Sequence, residues 1–188
     1  MTVATPILEL FPSPGEWTEA DYFPLSDRGR MVELSNGDVE VLPLPTDFHQ
    51  LILLRLTSSL YAFVLLHRLG QIRFAPLPVR LWEGKVREPD FMFMSAAHKD
   101  RIGTYWGIPD LVGEILSEGT EQKDRETKRA EYACAGIPEY WIIDPWARTV
   151  ERLRLSGNEY VLAELVTGAL TSTEFPGWSL ALSELFAE

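Results

Sequence analysis

The stretch from Pro89 to Lys128 constrains this chain most, because it sets charged side chains into runs that otherwise ask to be buried. It reads Pro89-Asp90-Phe91-Met92-Phe93-Met94, then a polar loop, then Asp110-Leu111-Val112-Gly113-Glu114-Ile115-Leu116-Ser117. After a second polar loop it closes with Asp124-Arg125-Glu126-Thr127-Lys128. Strand alternation gives Asp90 the face of Met92 and Met94, and gives Glu114 the face of Val112 and Leu116. An ionised carboxylate in such a place is costly unless a cation or hydrogen-bond donors compensate it. For Asp90 the alternatives are a cap at the start of a strand or a metal ligand. For Glu114 they are a buried ion pair with an arginine or a metal ligand. Gly113 would let another backbone or a ligand approach closely.

The third charged element is a helix expected over residues 124 to 136 and ended by Gly136. Helical geometry sets Asp124, Lys128 and Tyr132 roughly in line, with Ala130, Ala133, Cys134 and Ile137 as the opposite, apolar stripe. The plain reading is an exposed i,i+4 pair between Asp124 and Lys128. The chemical reading joins Lys128 to the two strand carboxylates. Hard oxygen ligands hold Mg²⁺ or Mn²⁺ while the ion keeps waters. Such an ion polarises a phosphoryl oxygen and acidifies a bound water, and an ammonium stabilises the developing negative charge. Spacing alone does not make this specific, since acids and lysines are common.

Around this stretch the elements alternate. Residues 1 to 15 carry Pro6, Pro12, Pro14 and Gly15 and read as an N-terminal arm, followed by a short helix capped by Thr18. Met31–Leu34 and Asp38–Leu42 flank an Asn36-Gly37 turn and form a hairpin. In it Glu33 reads either as a solvent-facing strand residue or as an accessory to a metal site. A helix from Thr46 or Asp47 to about His67 offers a broad apolar surface to a sheet. His49 near its start either approaches a site or takes a capping or surface role, the latter favoured, and His98 suits a solvated one. Gln71–Ala75 and Val79–Trp82 are two strands or one bulged strand, and Glu139–Asp144 is a further strand. A meander over 149 to 166 and a short closing helix over Leu180 to Phe186 complete the chain. The order implies an α/β domain spanning residues 1 to 188, with a mixed central sheet flanked by helices.

Several classes are excluded by what is missing from the sequence. It contains no glycine-rich phosphate loop, and one cysteine with three scattered histidines gives no zinc spacing. Cys134 cannot form an internal disulfide and falls on the apolar stripe, so an inert core thiol and a cytoplasmic setting are expected. No apolar run approaches the length of a membrane span, and no secretory signal pattern is present. The formal net charge of −11 opposes tight, unassisted binding of a nucleic-acid duplex.

At these residues the chain resembles the PD-(D/E)XK nuclease superfamily and, more narrowly, the bacterial Uma-type family of restriction-endonuclease-like proteins. The likeness runs through Glu33-Leu34, Asn36-Gly37-Asp38, His49, Pro89-Asp90 and Pro109-Asp110-Leu111-Val112. It continues through Glu114-Ile115-Leu116-Ser117, Asp124, Lys128, Tyr132 and Gly136 to Pro145. The resemblance implies a restriction-endonuclease-like fold, with Asp90 and Glu114 as ligands of Mg²⁺ or Mn²⁺ and DNA as the partner. It implies Asp90, Glu114 and Lys128 as the catalytic set, with Glu33 and Asp124 accessory. One departure stands out. The superfamily lysine lies two positions after the second acid, where this chain has Leu116, so the lysine role passes to Lys128 on the helix.

The leading expectation is therefore a metal-dependent endonuclease acting on DNA. A nuclease-fold binding or assembly module that no longer cuts is the alternative, and a structural subunit pairing through tryptophans is a third. A homodimer suits cleavage of both strands of a duplex.

Overall fold

The computed structural model describes residues 11–187. Residues 1–10, most of the expected N-terminal arm, lie outside the described residues. Helix α1 (Glu19–Ser26) leads into strands β1 (Val32–Ser35) and β2 (Asp38–Val41), and the long helix α2 (Asp47–His67) follows. Then come β3 (Gly70–Phe74), β4 (Val79–Trp82), β5 (Lys85–Arg87), β6 (Phe91–Ser95) and β7 (Leu111–Ile115). A 3₁₀ helix, Ala96–Arg101, separates β6 from β7. The second polar loop gives way to a π-helical turn, Lys123–Lys128, which runs on into α3 (Arg129–Ala135). The chain closes with β8 (Glu139–Asp144), β9 (Thr149–Ser156), β10 (Glu159–Val166), β11 (Ala169–Leu170), β12 (Leu180–Ala181) and α4 (Leu182–Leu185).

A six-stranded sheet in the order β10-β9-β8-β7-β6-β3 forms the centre. It is mixed: β7 and β8 are parallel and every other neighbouring pair is antiparallel. A second, four-stranded antiparallel sheet has the order β2-β1-β5-β4. The two pieces expected around Pro76 and Pro78 are thus separate strands, β3 and β4, in different sheets.

Alternation in the central strands divides the core in two. Phe91, Phe93, Ile115, Trp141 and Ile143 pack on one face with Ile52, Leu56, Leu60 and Val64 of α2. Met92, Met94, Val112, Leu116 and Ile142 pack on the other face with Tyr132 and Ala133 of α3. By length and composition alone α2 is apolar enough to cross a bilayer, which corrects the expectation that no run reaches that length. Its inner stripe is engaged with the sheet. Tyr22, Val32, Leu34 and Val86 form a third cluster beneath α1.

Local chemistry explains the junctions. Asn36 and Gly37 both have positive φ, 53° and 85°, the backbone a two-residue hairpin turn requires. Thr46 caps α2 by accepting from the His49 N–H. Gly113 is required by packing, since a Cβ there would stand 1.9 Å from the Phe91 ring. The space at Gly113 is filled by that ring, not by a ligand. Cys134 is exposed, correcting its expected core position.

A buried carboxylate cluster as candidate active site

Pairing between β6 and β7 matches Phe91 with Gly113 and Met92 with Val112. Continuing that register by one step sets Asp90 opposite Glu114, on the sheet face covered by α3. The Ile115 N–H donates to Asp90 Oδ2 at 2.7 Å, which fixes the Asp90 carboxylate against the end of β7. His49 reaches the same oxygen from the first turn of α2, with Nε2 3.2 Å away. The imidazole is buried rather than at the surface, so the expected capping or surface role is corrected; its backbone, not its side chain, meets the cap. Burial opposes charging of His49, but the Asp90 carboxylate and the Ile115 backbone raise its pKa on balance.

Glu114 is 3% exposed. Lys128 Nζ lies 2.9 Å from its Oε1 and the Tyr132 hydroxyl donates to the same oxygen at 2.6 Å. Lys128 and Tyr132 therefore do share a helix face, directed at the carboxylate and not at solvent. Lys128 Nζ is also 3.1 Å from Asp124 Oδ1 and 3.5 Å from Glu33 Oε1. The i,i+4 pair with Asp124 is thus buried, contrary to its plain reading as an exposed pair. Burial raises Glu114 to about 8; Lys128 pulls it down, while the Asp124 and Asp90 charges push it up. For Asp124, burial raises the pKa against the opposing pull of Lys128. Burial disfavours the Lys128 ammonium, yet its three carboxylate neighbours hold its pKa well above the ordinary lysine value.

Glu33 is wholly buried, which corrects the solvent-facing reading. Its Oε2 accepts from Arg87 at 2.9 Å and from Lys123 at 2.8 Å. Burial would raise its pKa, but Lys128, Arg87 and Lys123 together hold it down to about 2. Glu33 therefore anchors the cations around the site. It also ties the hairpin to the π turn, because Lys123 bridges from Glu33 to Glu40.

Sequence reasoning did not single out Glu88. It is 2% exposed, and its Oε1 accepts weakly from Tyr22 and Ser26, each at 3.3 Å. Oε2 is buried without a hydrogen-bond partner. Burial raises Glu88 to about 7, and the Glu33 charge adds to the rise. Its place directly before Pro89-Asp90 was the available signal. His98 was expected to be solvated, but its Nδ1 lies 2.7 Å from Asp110 Oδ1, at the far end of β6 and β7.

His49, Glu88, Asp90, Glu114, Asp124 and Lys128 line one cavity of about 60 Å³. That is room for an ion with a few waters. Among the described residues no three His, Cys, Asp or Glu side chains are grouped to hold a metal ion. The donor set is two carboxylates on adjacent strands, and it suits Mg²⁺ or Mn²⁺, which retain waters.

A mixed sheet that presents an Asp and a Glu side by side, with a lysine from a neighbouring helix directed at the Glu, has the architecture of a nuclease fold. The chain belongs to the Uma2 family, described as "Putative restriction endonuclease", whose pattern matches residues 19–183. Among solved structures it is similar to a crystal structure titled a "putative nuclease belonging to DUF820" from Anabaena variabilis. The TM-score is 0.74 at 19% identity, covering 91% of this chain and 98% of that one. At this identity the likeness establishes the fold. None of the curated proteins matches the chain.

Proposed function

We propose that this protein is a metal-dependent endonuclease hydrolysing phosphodiester bonds in DNA, with Asp90, Glu114 and Lys128 as its working residues. The observation that carries the reading is the convergence of Asp90, directly before β6, and Glu114 on β7 on a cavity also lined by a buried lysine. Asp90 and Glu114 would hold Mg²⁺ or Mn²⁺. When bound, the ion supplies polarisation of a phosphoryl oxygen and a water made acidic enough to attack.

The protein's own part is positioning and charge. The Ile115 N–H and His49 fix Asp90 from two sides. The Tyr132 hydroxyl and Lys128 orient Glu114 by sharing Oε1. Lys128 places a permanent positive charge on the cavity wall, where negative charge would grow on the phosphate. Asp124 and Glu33 keep that ammonium in place and charged. Leu116, at the position where the superfamily carries its lysine, is buried in the core, and Lys128 fills the gap from the helix.

One observation favours the alternative, a nuclease-fold module that binds without cutting: Lys128 is engaged by three carboxylates at once. Incubation of circular DNA, both single-stranded and supercoiled duplex, with Mn²⁺ and the protein separates the two. The endonuclease reading expects nicked and linear products with the wild type and at least about a hundred-fold less with Glu114→Ala. Equal residual cutting by both proteins would contradict it.

A further inference from the structure

Beside the catalytic cavity lies an open apolar groove of about 560 Å³, a size in the range of ligand-binding clefts. Phe11 and Trp17 stand at one side of it, with ring centroids 5.9 Å apart and planes 19° from parallel. Val41 and Leu44, 80% and 87% exposed, form the other side. Met31 and Leu42 line both the groove and the catalytic cavity, so the two are adjacent.

The charges around this path divide clearly. Close to the carboxylates every cation is already paired: Lys128 and Lys123 with Glu33, Arg87 with Glu33 and Glu131, Arg125 with Asp144 and Glu151. Arg30, which lines the groove, and Arg28 two residues earlier are exposed. Neither side chain has a hydrogen-bond or ion-pair partner among the described residues. A chain of net charge −11 is poorly suited to covering both phosphate strands of a duplex. A single strand can instead be held by base stacking on aromatic and apolar side chains, with a few cations on its backbone.

We infer that this groove receives the unpaired bases of a single-stranded polynucleotide whose backbone leads into the catalytic cavity. The inference rests on the nuclease reading and names the substrate class of that site. Phe11, half-exposed and backed by Trp17, offers the outer face of its ring, Val41 and Leu44 offer an apolar wall, and Arg30 meets phosphates.

The test is fluorescence anisotropy with the full chain, Ca²⁺ in place of Mg²⁺, and a short labelled DNA strand, the same strand as RNA, and the DNA duplex. The single strands are expected to bind about ten-fold tighter than the duplex, and the DNA and RNA arms show which backbone is preferred. Leu44→Asp and Val41→Asp, both at exposed positions, are expected to weaken single-strand binding about ten-fold. Arg30→Ala should flatten the salt dependence by about one phosphate contact. Duplex binding as tight as single-strand binding would overturn the inference. So would binding unchanged in Leu44→Asp, or a concentration-dependent dimer that Leu44→Asp disperses while strand binding stays the same. Mn²⁺ calorimetry on the same proteins keeps the two claims apart. Intact Mn²⁺ binding without strand preference removes only the groove. Strand preference without Mn²⁺ binding upholds the groove and removes the catalytic reading.

Discussion

Glu114 and Glu33 are both buried glutamates within reach of Lys128, yet their pKa values move in opposite directions. Glu33 sees three cations and is held down to about 2, whereas Glu114 is pushed up to about 8 by burial with other carboxylates near. The raised group binds its extra proton in the native state, so its contribution favours the fold below the ordinary carboxyl range. That contribution is lost as pH rises through about 8. The depressed group does the reverse: its contribution is present above the ordinary carboxyl range and is lost as pH falls through about 2. If Glu114 is a metal ligand, its proton must leave on binding. Mn²⁺ affinity is therefore expected to climb about ten-fold per pH unit below about 8 and then level off. Calorimetry across that range measures the slope, and a flat profile would detach Glu114 from the metal. Glu33→Gln removes the carboxylate that Arg87, Lys123 and Lys128 share, and should cost about 3–5 kcal/mol in urea unfolding. A loss under about 1 kcal/mol would mean that the cations find water instead.

Elements decide which of these residues meet. The β6–β7 register sets Asp90 against Glu114, and it depends on Gly113 leaving room for the Phe91 ring. Gly113→Ala is expected to destabilise by at least about 1–3 kcal/mol, through overpacking. Phe91→Leu in the same chain should return part of that loss, and thermal unfolding of the single and double variants measures it. Sequence alternation already gave the two faces of β6 and β7, because period-two burial is written directly in Phe91-Met92-Phe93-Met94. The hairpin and α2 were equally legible from Asn36-Gly37 and Thr46. The π turn at Lys123–Lys128 was not, since nothing in those residue types distinguishes it from an α-helix. Nor was the burial of Glu33 and His49 legible. It depends on which distant strands and helices face them, and a strand glutamate or a first-turn histidine looks the same in either setting. Glu88 was missed for a similar reason, because a polar residue before Pro-Asp reads as a loop.

For the molecule as a whole, the central sheet serves as the platform and the smaller sheet supplies the wall. Lys123, joined to Glu33 and Glu40, ties the β1–β2 hairpin to the π turn across the cavity. Lys123→Ala is expected to loosen that closure and raise hydrogen exchange in the hairpin, with a stability loss of about 1 kcal/mol. Unchanged exchange would show that the two apposed parts hold together without it. The acidic total, which opposes tight, unassisted duplex binding, is concentrated partly in the site itself, where carboxylates outnumber cations. Every role proposed for the site depends on Asp90 and Glu114 sharing one divalent ion. Isothermal calorimetry with Mn²⁺ on the wild type, Asp90→Ala and Glu114→Ala tests it most directly. Saturable binding by the wild type is expected, with a loss of at least about ten-fold in each variant and folding intact by circular dichroism. No Mn²⁺ binding by the wild type at millimolar concentration, or equal affinity in all three proteins, would contradict it.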